Sequence, residues 1–148
     1  MAAAVSEPRR VVSLVDRDPA FMTDRVASVI ADFGNGRQLS FVASTQLVPS
    51  QSIEVIGTKA RLEIVIPFNA PQGEPTAILI DDGSSLDGSL ARREILPASD
   101  QYADQAEAFA QAVMGQRHLN WGIEDAILNM KVIDAVFESE KTGAWAKV

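Results

Sequence analysis

The sequence predicts an α+β fold: a single open, mostly antiparallel β-sheet with two C-terminal helices packed on one of its faces. Three observations carry this reading. From Arg9 to Pro97 the apolar residues recur with a period close to two, in short runs broken by turn residues, as strands require. From Gln101 onward the period lengthens to that of a helix. The length of 148 residues, with 47% apolar and 22% charged residues, suits one domain with one core, so residues 1–148 are read as a single domain.

Arg10-Val11-Val12-Ser13-Leu14-Val15 reads as a first strand, ended by Asp16-Arg17-Asp18-Pro19, where Pro19 has no N–H to give to a ladder. Thr23 to Phe33 and Arg37 to Leu47 are two long strands joined by Gly34-Asn35-Gly36, whose residues tolerate positive φ and so mark a hairpin. In the second of these, Leu39, Phe41, Ala43, Thr45 and Leu47 alternate with Gln38, Ser40, Val42, Ser44 and Gln46. One face is therefore apolar and the other mixed. Ser52–Ile56 and Arg61–Ile66 form a further hairpin through Gly57-Thr58-Lys59-Ala60, with Ile53 and Val55 opposing Leu62 and Ile64. A Pro-rich connection, a strand Thr76–Asp81, an acidic surface loop Asp81–Gly88 and a short strand Arg92–Leu96 follow. Asp100 is placed to cap a helix Gln101–Gly115, with a stripe Tyr102, Ala106, Phe109, Ala110 and Val113. A second helix runs from Ile123 to about Lys141 and stacks Ile123, Ile127, Met130, Ile133 and Phe137. Ala144–Val148 has the length and alternation of a terminal strand.

The chain has no Cys and a single His118, which excludes thiol catalysis, thiolate metal sites and multi-histidine metal sites. A formal charge of −7 repels polyphosphate and anionic lipid, so neither nucleic acid nor a membrane is expected as a partner. The segment Met1–Glu7 lacks the basic region of a secretory signal, and a cytoplasmic location is expected. Gly34-Asn35-Gly36 supplies only two glycines of a dinucleotide fingerprint and leads into a strand rather than a helix. In Asp81-Asp82-Gly83-Ser84-Ser85-Leu86-Asp87-Gly88 the spacing does not fit a calcium loop, because counting back from either Gly puts no carboxylate first. Glu124-Asp125 suits the positive end of its helix. His118 reads as a polar loop residue, and Asp134, close to an apolar stripe, as a partly buried structural carboxylate. These residues assemble no catalytic site and no metal site.

Several pieces along the chain share a family pattern. They are Ala31-Asp32-Phe33-Gly34-Asn35-Gly36, Ile53-Glu54-Val55-Ile56-Gly57-Thr58 with Leu62-Glu63-Ile64, and Tyr102 with Gln105, Phe109, Val113 and Gly115. Glu124-Asp125-Ala126, Asn129-Met130, Val132-Ile133-Asp134-Ala135, Ser139 and Gly143 complete the set. In order and spacing they resemble the C-terminal domain of the glucose-fructose oxidoreductase/inositol dehydrogenase/MocA family. Ile66-Pro67-Phe68-Asn69-Ala70-Pro71 is similar to the branch holding NADP-dependent xylose and dihydrodiol dehydrogenases, while Ala60 departs from the Gly frequent in that turn. The resemblance implies a parent with an N-terminal Rossmann domain for NAD or NADP, a catalytic Lys in a Glu-Lys-Pro segment and an Asp/His pair on a helix, all upstream of Met1. It leaves to this chain no cofactor-binding and no catalytic residue.

The expected function is thus that of a C-terminal domain of an NAD(P)-dependent sugar or polyol oxidoreductase, inactive alone, supplying the substrate-side wall and a sheet-mediated oligomer interface. Tyr102 and Gln105 are the candidates for the substrate side. Ser40, Val42, Ser44 and Gln46 are the candidates for the oligomer face, with Val26, Ile56 and Val65 adding apolar surface to it. The expected partners are a second copy of the chain and the Rossmann domain of the parent. The alternative is a stand-alone, non-enzymatic binding module that uses the open sheet face.

Overall fold

Most strand pairs in this chain join strands that are neighbours in sequence, the exception being the pairing of the first strand with the last. The computed structural model describes residues 7–148, and the expectation concerning the Met1–Glu7 signal segment lies almost wholly outside them. Strands β1 (Arg10–Arg17), β2 (Asp24–Gly34) and β3 (Arg37–Ser44) are followed by β4 (Ile53–Ile56), β5 (Arg61–Ile64), β6 (Thr76–Asp81) and β7 (Arg92–Leu96). Helices α1 (Gln101–Val113) and α2 (Ile123–Thr142) and a short β8 (Ala146–Lys147) complete the chain. The fold is α+β with C-terminal helices.

The expected single sheet is instead two antiparallel four-stranded sheets, ordered β3-β2-β1-β8 and β4-β5-β6-β7. The break has a local cause. The Ser44 hydroxyl accepts the backbone N–H groups of Gln46 and Leu47, at 3.1 Å each, and turns the chain out of β3 before Pro49. The strand therefore stops at Ser44, and Gln46 lies beyond it. The chain divides into two compact units, one made of Met1–Val48 with Asn120–Val148 and the other of Pro49–Leu119.

In the first unit the β2–β3 hairpin closes on Asn35 and Gly36, with φ of 53° and 76°, and Gly34 also sits at φ 75°. At Gly34 the positive φ is what favours glycine, since the nearest group to an added Cβ, the Arg9 guanidinium, ends a flexible exposed side chain that can move aside. The core is small: Val11, Val29, Ala31, Ala135, Val136 and Ala146 are buried together. α2 lies on β1 and β8, and its contact with them is partly polar. Fully buried Ser139 accepts the Ser13 N–H at 3.0 Å and donates to the Ala144 carbonyl at 2.7 Å, while the Ser13 hydroxyl donates to the Val136 carbonyl at 2.7 Å. Gly143, at φ 64°, ends the helix in the left-handed region.

The expected stripe of large residues does not face the sheet. Ile123, Ile127 and Met130 are half or more exposed, and α2 seats itself through Val132, Ala135, Val136 and Ser139. Small side chains let the helix axis approach the strand closely, which the larger stripe would prevent. Asp134, expected to be partly buried, is exposed.

In the second unit Ile53 pairs with Ile64 and Val55 with Leu62, as the alternation requires, and Gly57 donates to the Ala60 carbonyl at 2.9 Å to close that hairpin. Asp81 is buried against Arg61 at 3.0 Å and accepts the Gly83 N–H. Asp82 and Asp87 likewise accept N–H groups of Ser84 and Ser89, so each carboxylate of the acidic loop serves its own turn. α1 is capped as expected by Asp100, which accepts from Tyr102 and Ala103 at 3.1 Å, yet it has no buried residue. The expectation that both helices pack on one sheet face therefore holds for α2 alone: the apolar stripe of α1, with Phe109 and Val113, is exposed.

Candidate functional site

Register and helix contacts define the two faces of the first sheet. Ser13 bonds to α2, and it pairs across the sheet with Val29, which pairs with Phe41, so Val11, Ser13, Val29, Ala31, Leu39 and Phe41 belong to the helix side. Val12, Leu14, Ser28, Ile30, Ser40 and Val42 then leave from the opposite face, joined by Val26 and Ser44. That face is open. Leu14 is 77% exposed, Val42 63% and Ile30 45%, and the depression they share with Val12, Ser28 and Ser40 has a volume of about 510 Å³.

Charged pairs close both ends of this apolar strip. At one end Arg10 Nε donates to Asp32 at 2.9 Å while its guanidinium lies 4.6 Å from the Trp145 ring. The Gly34 N–H and then Arg10 hold the Asp32 carboxyl below the usual carboxylate range. At the other end Arg25 donates to Asp16. Both carboxylates are committed as acceptors of an arginine N–H. The open face thus has an apolar centre between two charged pairs.

Of the oligomer-face candidates, Ser40, Val42 and Ser44 stand together on β3 as expected. Gln46 is past the strand end and donates from Nε2 to Asp18 at 3.2 Å. Ile56 ends β4 and Val65 follows β5 in the second sheet, so of the added apolar residues only Val26 shares this face. Val12, Leu14 and Ile30 were not among the candidates. Their signal was present, since β1 is apolar at both alternating sets of positions. Tyr102 and Gln105 are exposed on the first turns of α1, in the second unit. His118 is an exposed residue of the connection after α1. Among the described residues no group of three His, Asp or Glu is arranged to hold a metal ion, and no helix is long and apolar enough to cross a membrane.

Residues 5–148 match the family model described as the C-terminal alpha/beta domain of the GFO/IDH/MocA oxidoreductase family. An uncharacterized oxidoreductase of Rhizobium meliloti is 35% identical over 97% of this chain, which corresponds to 43% of that protein. A D-xylose 1-dehydrogenase (NADP(+)) of Haloferax volcanii is 30% identical over 95% of the chain and 44% of its own length. Among solved structures, a 3-ketoreductase from Actinomadura kijaniata in complex with NADP and TDP-benzene superimposes with a TM-score of 0.79 at 21% identity, over 90% of this chain and 39% of that one. An aldose-aldose oxidoreductase from Caulobacter crescentus, complexed with glycerol, gives 0.76 at 18% identity, over 96% and 42%. The structural likenesses establish the fold, and the chain spans less than half the length of the relatives it matches. With the family model matched along nearly all of its residues, the chain belongs to the GFO/IDH/MocA oxidoreductase family and corresponds to its C-terminal alpha/beta domain.

Proposed function

We propose that the chain acts as the C-terminal domain of an NAD(P)-dependent sugar or polyol oxidoreductase of the cytoplasm, shaping the substrate side of the cleft and joining copies of the enzyme through the open face of its first sheet. The observation that carries this reading is the match to a C-terminal domain over residues 5–148 while only 43–44% of the sequence relatives' length is covered. The cofactor is assigned to the remainder of the polypeptide, because the chain has no third glycine or following helix to place a pyrophosphate. The sugar class rests on a relative that is a D-xylose dehydrogenase and a structural neighbour that is an aldose-aldose oxidoreductase. Tyr102 and Gln105, exposed at the start of α1, are the residues proposed to face substrate. Self-association is supported by the apolar strip Val12, Leu14, Ile30 and Val42 between its two charged ends.

Calorimetric titration with NADP and NAD tests the reading. The 148-residue chain is expected to show no binding tighter than about 100 μM, roughly 5.5 kcal/mol. A chimera that joins the non-matching part of the Rhizobium meliloti relative to this chain is expected to bind the cofactor and to oxidise D-xylose or a related aldose. Tight cofactor binding by the isolated chain, or a folded chimera that binds neither NADP nor NAD, overturns the proposal.

A further inference from the structure

The chain holds four asparagines and two Asp-Gly pairs, and the structure sets one of these positions apart. Asn35 is followed by Gly36, whereas Asn69, Asn120 and Asn129 are followed by Ala70, Trp121 and Met130, whose Cβ atoms crowd the next backbone nitrogen. Asn35 and Gly36 are the two-residue loop of the β2–β3 hairpin, both exposed and both at positive φ. Among the described residues the Asn35 side chain has no hydrogen bond and the Gly36 N–H no acceptor. Asn69, by contrast, accepts from Gln51 at 2.5 Å, and Asn129 lies inside α2, where the following N–H belongs to the helix ladder.

At the two Asp-Gly pairs the glycine nitrogen is already engaged. Gly83 donates to Asp81 at 2.9 Å, and Gly88 donates to the Ser85 carbonyl at 3.3 Å. Their carboxylates are also held ionised: the Ser84 hydroxyl and N–H lower Asp82, while the Ser85 hydroxyl and the Ser89 N–H bring Asp87 to about 2. An ionised carboxylate repels an incoming nitrogen nucleophile, and a neutral amide does not.

We propose that Asn35-Gly36 is a site of spontaneous covalent modification, at which the Gly36 nitrogen closes on the Asn35 side chain. The Gly36 N–H gives up its proton, the nitrogen bonds to Asn35 Cγ, and the carbon–nitrogen bond of the side-chain amide breaks to release ammonia. Water then opens the cyclic imide at either carbonyl and leaves an aspartate or an isoaspartate at position 35. Nothing is oxidised or reduced, and water is the one co-reactant. The charged groups at this end of the sheet are Arg9, Arg10, Asp32 and Arg37. Arg10 is paired with Asp32, but Arg9, over Gly34, and Arg37, on the Phe33 carbonyl at 3.4 Å, are in no salt bridge among the described residues. Two such cations favour loss of the amide proton, and the new carboxylate then arises on the hairpin end that carries them.

Trypsin releases Val26–Arg37, in which Asn35 is the sole asparagine, so the reaction is read on one peptide by mass spectrometry. The folded chain is incubated in heavy-oxygen water, which marks each imide that hydrolyses. Heavy oxygen is expected to enter Val26–Arg37 at least about tenfold faster than the peptides holding the other asparagines or the Asp-Gly pairs. The rate is expected to rise about tenfold per pH unit near neutrality, as loss of an amide proton requires. In urea the Asp-Gly pairs gain reactivity while Asn35 keeps its lead. An Asn35 that reacts in the unfolded chain and stays intact in the folded one overturns the inference, because the hairpin then protects it. So does heavy oxygen entering first at another position, or a rate independent of pH. Asn35→Asp reproduces one product and is expected to unfold at a urea concentration no lower than the wild type, since aspartate also accepts positive φ. A lower midpoint overturns the pairing of the product carboxylate with the two cations.

Discussion

Replacing Val42 with Lys probes the proposed contact between sheet faces at its centre. Val42 is 63% exposed in the free chain, so it contributes little to the fold and most of its surface remains to be buried by a partner. Complete burial of a Val side chain is worth about 1.5–3 kcal/mol, and the part still exposed therefore about 1–2 kcal/mol. Lysine loses this gain and adds an ammonium that the neighbouring Ser28, Ser40 and Leu14 cannot neutralise, a cost of several kcal/mol if it is desolvated. Around a two-fold axis each change counts twice. The sum is at least about 4 kcal/mol, a weakening of roughly a thousandfold. Sedimentation velocity over a range of concentrations measures the shift, with circular dichroism and urea unfolding to report on the fold. Leu39→Lys, on the helix side of the same sheet, is expected to leave association unchanged. A wild-type chain that stays monomeric at the highest concentration, a Val42→Lys chain that sediments as the wild type does, or one that unfolds refutes the assignment of this face.

Other expectations concern the scaffold. Ser139→Ala leaves the Ser13 N–H and the Ala144 carbonyl without partners and is expected to cost about 2–4 kcal/mol in urea unfolding, far more than the lost oxygen alone suggests. Asp100→Ala removes both acceptor contacts at the start of α1 and is expected to cost about 1 kcal/mol and to reduce helical circular dichroism. Glu140 is held below its ordinary value of 4.5 by its paired hydrogen bonds to Arg17. A depressed folded pKa means that the unfolded chain binds the proton first, so this stabilisation is complete above about pH 4.5 and is lost as pH falls through the folded value. Glu140→Gln is expected to flatten the acid limb of a stability profile measured by urea unfolding from pH 7 to pH 3, and an unchanged limb would show that the pair does not form in solution.

Local structure was legible in the sequence where one residue type decides it. Gly34-Asn35-Gly36 needs positive φ, Asp100 is an acceptor before a helical run, and the alternation of Ile53 and Val55 with Leu62 and Ile64 fixes a register. The division into two sheets was not legible, because it depends on the Ser44 hydroxyl taking two backbone donors, a contact with no periodic signature. The seat of α2 was misread for a related reason. Hydrophobic size points to Ile127 and Met130, whereas close approach favours Ala135 and Ser139, and a buried Ser bonded to a strand N–H looks like a polar residue until the strand is in place. The face carrying Ser40, Val42 and Ser44 followed from alternation, but its other half, Val12, Leu14 and Ile30, required the β1–β2 register.

The segment Pro49–Leu119 forms a unit of its own between β3 and α2, and this order sets a timetable for synthesis. The three strands β1 to β3 emerge together and can pair as hairpins at once. Their cover, α2 and β8, follows only after the whole intervening unit has left the ribosome, at about 5–20 residues per second. For those seconds Val11, Val29 and Ala31 have no helix over them, and the Ser13 N–H has no hydroxyl to meet. The nascent sheet is then apolar on both faces, and chaperone capture or premature pairing between chains competes with completion of the fold during that interval.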